Sequence, residues 1–425
     1  MSQESFRFIH ASDFHLESPL GDLDSLPPNL RDAIATAPRD AVMAIFEAAA
    51  ADNIDFLVLS GDLLHPVTAG PHGMAILLDG FERLHSKATP VYWVHGLADD
   101  PKQWPEAVPL PPNVTLFPKD RAVTVTYERA GRAICQIVGR SSEGRSLLNV
   151  AGFQFDDSDM FTIGLGYGTA DVAALSNARI DYWALGGPHN HASIEEGAAA
   201  GAVAPGSPQG RSMSETGSHG YTVVDIDAER TSRVHHVASD HIRYCHVTID
   251  AEDIRAVGSL RNLLGQKINE LANEAEGRHL LIAWDVTVAD AELLGLVGDP
   301  GELLRQLRRD HGVANPVAWT TRLSIRPPKQ YPASWFDEDT ILGDFLRAAK
   351  KYRHVGDGDD SKSIDLMPFT EERSDLSSTA ANLLGDVPAG IKDDVLNDAT
   401  LLGVEMLRGG KPKFGAHRVN GGTRS

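Results

Sequence analysis

Cysteine is nearly absent from this chain: 425 residues contain two, Cys135 and Cys245. Two thiols exclude a disulfide framework and a Cys-rich zinc site. Both fall in apolar, strand-like runs and are expected in a core. Long hydrophobic runs are missing as well, and without about 18 consecutive apolar residues no helix is expected to span a membrane. The first eight residues have no apolar stretch of the kind that a secretory leader needs, so the expected compartment is the cytoplasm. Positive charge is scarce: Lys and Arg number 39 against 59 Asp and Glu, a net charge of −20. Such a surface repels phosphate backbones on average, which excludes a general nucleic-acid coat and leaves only a local basic patch for DNA. What is present is ordinary for a soluble globular protein, with 42% apolar and 23% charged residues. The length predicts two to three domains and a core that needs no covalent staple.

The first half alternates strand and helix signals. Apolar runs at 6–12, 55–60 and 90–95 read as buried strands, separated by helical patterns at 29–53 and 74–86. That order predicts a parallel sheet with crossover helices. Short strands follow at 114–117, 122–127, 133–138 and 160–165, then a helix at 169–177 and a strand at 182–185. Strands at 198–204, 221–226 and 234–238 bring the total to about a dozen, enough for two stacked sheets flanked by helices. Residues 5–240 are therefore expected to form one α/β domain, a two-sheet sandwich. A small α+β accessory domain is predicted at 244–330, from strands at 246–249, 279–288 and 317–325 and helices at 256–276 and 300–311. Residues 331–425 read as a helical, partly loop-rich extension. It holds an amphipathic helix at 338–353, an acidic stretch at 356–386, a final helix at 394–407 and a basic, solvated tail. Trp93, Trp183 and Trp284 lie in strands and are expected in the core. Trp104 and Trp335 fall in Pro-rich loops and are expected to cover an interface.

The chemistry-bearing residues gather after strands. Asp13 and His15 follow the first, Gly61-Asp62 the second, His95-Gly96 the third, and His189 follows the strand at 182–185. In α/β sheets the carboxyl ends of the strands share one edge, where ligands bind. Mixed carboxylate and imidazole ligands suit Mn²⁺, Fe²⁺ or Zn²⁺. Each short motif alone is weak in a chain with seventeen histidines; the signal is their order along the strands.

The segments HASDFHLESPL (10–20), FLVLSGDLL (56–64), PVYWVHG (90–96), DYWALGG (181–187) and APGSPQGRSMSETGSHGY (204–221) resemble the calcineurin-like metallophosphoesterases. Within them they resemble the DNA-repair exonuclease branch, of the SbcD and YhaO type. That resemblance implies two metal ions about 3.5–4 Å apart with a bridging carboxylate, and a loop histidine as general acid, worth about 10²–10⁴-fold. Carried over by residue, Asp13 and His15 match the first-metal pair, Asp62 the bridging carboxylate, and His189 the last histidine of G-H-x-H. The second site departs from the pattern. Leu97 stands at the Asn ligand, Ala98 at the catalytic His, Tyr167 at a His after a strand, and Gly187 at the first His of G-H-x-H. No catalytic residue is therefore assigned. His191, Asp99, Asp100 and Tyr167 are substitute ligands that the second site has within reach. Arg211, Glu215 and His219 are expected to hold their loop against the sheet, or to position a phosphate.

The resemblance thus implies one divalent metal, Mn first and Fe or Zn as alternatives, with a degenerate second site. It implies phosphodiester hydrolysis at nucleic-acid ends, weakened or lost. The alternatives are a catalytically degraded scaffold that binds an SMC-like ATPase, and a phosphatase on a small substrate. DNA ends, an SMC-like ATPase subunit and a second copy of the chain are the partners it brings into view, with no membrane.

Overall fold

The structure is a computed structural model. It describes residues 4–23, 26–155, 159–194, 201–288, 300–326 and 333–353 apart from isolated positions at 52, 101, 103, 252, 253 and 255, together with 331, 418–420 and parts of 396–407. The acidic stretch at 356–386 lies outside the described residues.

Two six-stranded sheets stack face to face. The first has the order β12-β11-β1-β2-β3-β4 and the second β5-β6-β7-β8-β10-β9. In the first, β1 (Phe6–Ala11), β2 (Phe56–Leu59), β3 (Val91–Trp93) and β4 (Val114–Leu116) run parallel. Here β11 (Gly220–Ile226) is antiparallel to β1, with β12 (Ser232–Ala238) at the edge. The second holds β5 (Val123–Arg129), β6 (Arg132–Gly139), β7 (Phe161–Tyr167), β8 (Tyr182–Gly186), β9 (Ala192–Ile194) and β10 (Gly201–Ala204). All four residues of β2, FLVL, are buried, because both faces of that strand are covered; this is why it reads as a continuous apolar run. Phe8, Phe56, Val58 and Tyr92 meet Ile137, Phe161, Ile163 and Tyr182 between the sheets. The outer face of the first sheet packs on α1 (Pro28–Ala49) and α2 (Pro66–Ser86). The outer face of the second packs Trp183 and Val138 against Phe153 and Leu175 of α3 (Val172–Ser176).

Several elements differ from their sequence patterns. Helix α2 starts at Pro66 rather than 74, because proline at the first helical position sets φ and needs no N–H partner. The helix then breaks at Gly70 (φ 60°, ψ −162°) before Pro71. Strand β9 carries no pattern of its own and forms by antiparallel pairing with β10. Residues 418–420 of the basic tail form a strand, β16, against β15 (Ala318–Arg326). Trp104 donates to the Val108 carbonyl and packs on the buried cluster around Trp93, so it belongs to the core's margin. Trp93, Trp183 and Trp284 are fully buried. Both cysteines are free.

The second unit is a sheet of order β13-β14-β15-β16, formed by β13 (Ile242–Ala251), β14 (His279–Val288), β15 (Ala318–Arg326) and β16 (Arg418–Asn420). The first three strands are parallel, which requires the crossovers α4 (Val257–Glu274) and α5 (Pro300–His311). Leu260, Leu264, Ile268, Leu303, Leu304 and Leu307 of these helices bury against Leu280, Ile282, Trp284 and Val286. A separate cluster joins the units: Leu20, Leu30, Ile34 and Ala37 pack on Ile242, Tyr244, Leu281 and Trp319. The amphipathic helix lies at Ile341–Arg353, and the described positions within 396–407 are helical. No helix among the described residues is long and apolar enough to cross a membrane.

Candidate metal centre

The loops that leave β1 and β2 run side by side. The Asp13 N–H donates to the Gly61 carbonyl (2.9 Å), that of His15 to Asp62 (3.0 Å) and that of Leu16 to Leu63 (3.0 Å). The ladder between parallel strands thus continues past their ends and brings Asp13, His15 and Asp62 together. Asp13, His15 and Asp62 all have positive φ (53°, 42° and 54°). Backbone of this kind is costly for non-glycine residues and clusters at functional sites. Gly61 and Gly96 make the loops fit. A Cβ on Gly61 would lie 2.7 Å from the Gly96 nitrogen, and one on Gly96 would lie 2.2 Å from Asp62 Oδ1.

Asp13 is fully buried. Its Oδ2 accepts from the Ser12 hydroxyl (2.6 Å) and the Gly187 N–H (2.9 Å). Its Oδ1 is buried with no hydrogen-bond partner and lies 3.9 Å from His15 Nε2. Burial pushes the Asp13 carboxyl up to about 7, against the Ser12 and Gly187 donors. Burial drives His15 down to about 4, so its ring is neutral. His15 Nε2 is 3.1 Å from His189 Nε2 and 3.9 Å from Asp62 Oδ2.

His189 comes from the turn after β8. Its Nδ1 is 2.8 Å from Glu215 Oε1, and that carboxylate is the main reason its pKa is raised. Burial pushes Glu215 up, but the His189 ring and the Arg211 N–H outweigh it and hold the carboxyl below its ordinary value. With Nδ1–H donated to Glu215, His189 presents the Nε2 lone pair to the site. Arg211 also donates from its guanidinium to the His15 carbonyl. The ligand atoms of Asp13, His15 and His189 lie within 4.8 Å of one another. A buried carboxylate oxygen without a donor, beside two imidazole nitrogens, is a donor set that fits a divalent cation.

The far side of Asp62 is built differently. Asp62 Oδ1 accepts from the Ala98 N–H (2.6 Å) and Oδ2 from the Tyr167 hydroxyl (2.5 Å). Tyr167 is buried, and burial followed by its bond to Asp62 raises its pKa, so it stays a neutral donor. Leu97 is 47% exposed. Gly187 has φ +107°, and a Cβ there would touch the Tyr167 ring.

The substitute ligands lie in other roles. Asp99 Oδ1 accepts from the N–H groups of Gly96 (2.6 Å) and Asp62 (3.2 Å). Its Oδ2 accepts from Leu63 N–H and Trp93 Nε1–H, both at 3.2 Å. Asp99 therefore ties the loop after β2 to the loop after β3. Asp100 accepts from the Lys102 N–H. The His191 ring lies tilted against that of His236, 4.6 Å between centroids. His219 Nδ1 meets Ser207, so it fastens its loop, whereas Glu215 reaches the His189 ring itself. The sequence signal for Glu215 was the RSMSET stretch, which placed it near the site without saying which histidine it would meet. Ser12 and the Gly187 and Ala98 N–H groups carried no signal, since their role comes from position alone.

Residues 6–157 match the family model described as calcineurin-like phosphoesterase. The chain is also similar to the uncharacterized metallophosphoesterase YhaO of Bacillus subtilis (strain 168), at 25% identity over 336 residues, which cover 74% of this chain and 80% of that protein.

Proposed function

With a calcineurin-like phosphoesterase domain at residues 6–157 as the premise, we propose that this chain is a phosphodiesterase on nucleic-acid ends that works with one divalent ion, Mn²⁺ first. The ion is held by Asp13, His15, Asp62 and His189. The observation that carries this reading is Asp13 Oδ1, buried without a partner and aimed at the His15 ring. A bound divalent ion supplies Lewis-acid stabilisation of phosphoryl oxygens and a nucleophilic oxygen at neutral pH. The chain's own groups do the rest. Glu215 holds the His189 ring, Ser12 and the Gly187 N–H hold Asp13, and Tyr167 and the Ala98 N–H hold Asp62. No side chain at 97 or 98 moves a proton, since Leu and Ala have neither donor nor acceptor. Turnover is accordingly slow: loss of a general acid costs about 10²–10⁴-fold.

Metal content by mass spectrometry, on protein purified without chelator and reloaded with Mn²⁺, tests this. The expected result is one ion per chain in the wild type and none in Asp13→Ala, with slow Mn²⁺-dependent cleavage of a linear DNA end. Zero or two ions per chain would sink it.

Tyr167 and the Ala98 N–H on Asp62 favour a second reading, a degraded enzyme retained as a scaffold for an SMC-like ATPase. Its expected signature is co-purification with such an ATPase that survives Asp13→Ala, with no cleavage at any Mn²⁺ concentration.

A further inference from the structure

The loop at 205–219, between β10 and β11, is tied to two parts of the molecule. On one side it meets the metal centre. The Ser207 N–H donates to the His189 carbonyl (2.8 Å), and Glu215 Oε1 lies 2.8 Å from His189 Nδ1. The Arg211 guanidinium donates to the His15 carbonyl (3.2 Å), and the Arg211 N–H donates to Glu215 Oε2 (2.9 Å). The loop has no helix or strand of its own, so its shape is set by what fastens its ends.

Those fastenings lie on the second unit. Gln209 is 4% exposed, and its amide has every donor and acceptor in use. Oε1 accepts from the N–H groups of His241 (2.8 Å) and Ile242 (3.1 Å). Nε2 donates to the carbonyls of Ile242 (2.5 Å) and Gly210 (2.9 Å). A primary amide offers two donors and two lone pairs, so Gln209 has no polar capacity left for a ligand. By taking both the N–H and the C=O of Ile242 it does the work of a neighbouring strand. Near the other end of the loop, the Gly217 N–H donates to the Tyr244 carbonyl (3.0 Å). Ile242 and Tyr244 alternate along β13, so both fastenings lie on one edge of it, away from β14. The Tyr244 hydroxyl adds a third tie: it donates to the Gly21 carbonyl (2.9 Å), and the Gly21 N–H donates to the Arg211 carbonyl (2.6 Å).

We infer that Gln209 is a positioning residue for the metal centre: by fastening its loop to β13 it holds Glu215 against His189, so that the second unit sets the metal affinity of the first. The inference rests on the metal-centre reading. It adds a residue that touches no ligand, and it gives the second unit a part in the chemistry. The coupling is reciprocal: the factor by which the docked loop raises metal affinity is the factor by which bound metal favours the docked loop.

Calorimetric titration of the full-length protein with Mn²⁺ tests it, in wild type, Gln209→Met, Glu215→Ala and the double variant. Methionine keeps the length of the side chain and removes all four hydrogen bonds. Gln209→Met is expected to weaken Mn²⁺ binding about fivefold, the lower end of typical coupling between sites. In the Glu215→Ala background the same change should cost less than about twofold, because the route through Glu215 is already cut. A purely structural Gln209 would leave the affinity unchanged or lower it equally in both backgrounds, and either result overturns the inference. A second measurement uses wild type alone and so does not depend on the folding of a variant. Saturating Mn²⁺ should slow amide hydrogen exchange over 209–217 and 241–246 by about the same fivefold factor. Exchange there that ignores Mn²⁺, in a protein that the titration shows to bind it, would overturn the inference and leave the metal centre standing. Wild type that takes up no Mn²⁺ would remove the metal-centre reading and the inference with it.

Discussion

Asp13 has two oxygens with opposite surroundings. One has two donors, and the other, equally buried, has none. A buried anion in that state is costly unless a cation completes it, so this one atom weighs more than the motif in which it lies. His189 is the complementary case, an imidazole whose free nitrogen is set by what the other nitrogen meets. Glu215 therefore acts as a positioning residue. Losing such an outer partner typically costs about 10–100-fold in metal affinity. Glu215→Ala is expected to weaken Mn²⁺ binding by about that factor in calorimetric titration, and Glu215→Gln, which keeps an acceptor, by less. An affinity unchanged in Glu215→Ala would show that His189 needs no such support.

At the scale of elements, the loops after β2 and β3 are joined by Asp99, and the ring of His95 is enclosed where β3 ends. His95 is 2% exposed, and neither ring nitrogen has a hydrogen-bond partner among the described residues. It lies against Trp93, with Asp99 at 4.0 Å and the charges of Asp100 and Lys119 acting on it. Burial pushes its pKa down to about 4, from an ordinary value near 6.5. Between those values the unfolded chain takes up a proton here that the folded chain refuses. Stability is therefore lost as pH falls through about 6.5 toward 4, and above 6.5 nothing is lost. At pH 5 this amounts to about 2 kcal/mol, at roughly 1.36 kcal/mol per pKa unit. Phenylalanine keeps the ring against Trp93 and removes the titration. The fall in thermal midpoint from pH 7.5 to 5 should be smaller in His95→Phe than in wild type. Equal falls would mean that His95 is protonated in the folded state.

At the scale of the molecule, the sandwich and the second sheet meet through more than an apolar patch. Asp240 is buried and faces two arginines, Arg243 at 2.8 Å and Arg278 at 2.8 Å. Arg278 also donates to the carbonyls of Ala238 and Asp240, and Tyr244 donates to the Gly21 carbonyl. Removing one partner of such a buried pair leaves the others uncompensated, a cost of about 3–5 kcal/mol. Asp240→Ala is expected to lose about that much in denaturant unfolding, with both units affected because the junction is shared. A loss under about 1 kcal/mol would show that the apolar cluster around Leu30 and Tyr244 suffices.

The sequence alone determined the alternation of strands and helices, the two-sheet sandwich and the positions of Asp13, His15, Asp62 and His189 at strand ends. It could do so because burial on both faces makes a strand such as FLVL continuous, and ligand loops must follow strands to share an edge. Helix α2 was legible only in its second half, since Pro66, Gly70 and Pro71 hide the first turn of a broken helix. Strand β9 and the strand at 418–420 have no pattern, because pairing with a neighbour, not local preference, forms them. Only the tertiary structure decided what occupies each oxygen of the carboxylates. Asp99 and Tyr167 are a carboxylate and a phenol of ligand type in the sequence, yet one joins two loops and the other donates to Asp62. Which atom a polar group meets depends on residues 26 to 174 positions away, as with Glu215 on His189 and Gly187 on Asp13. No local pattern records such distances along the chain.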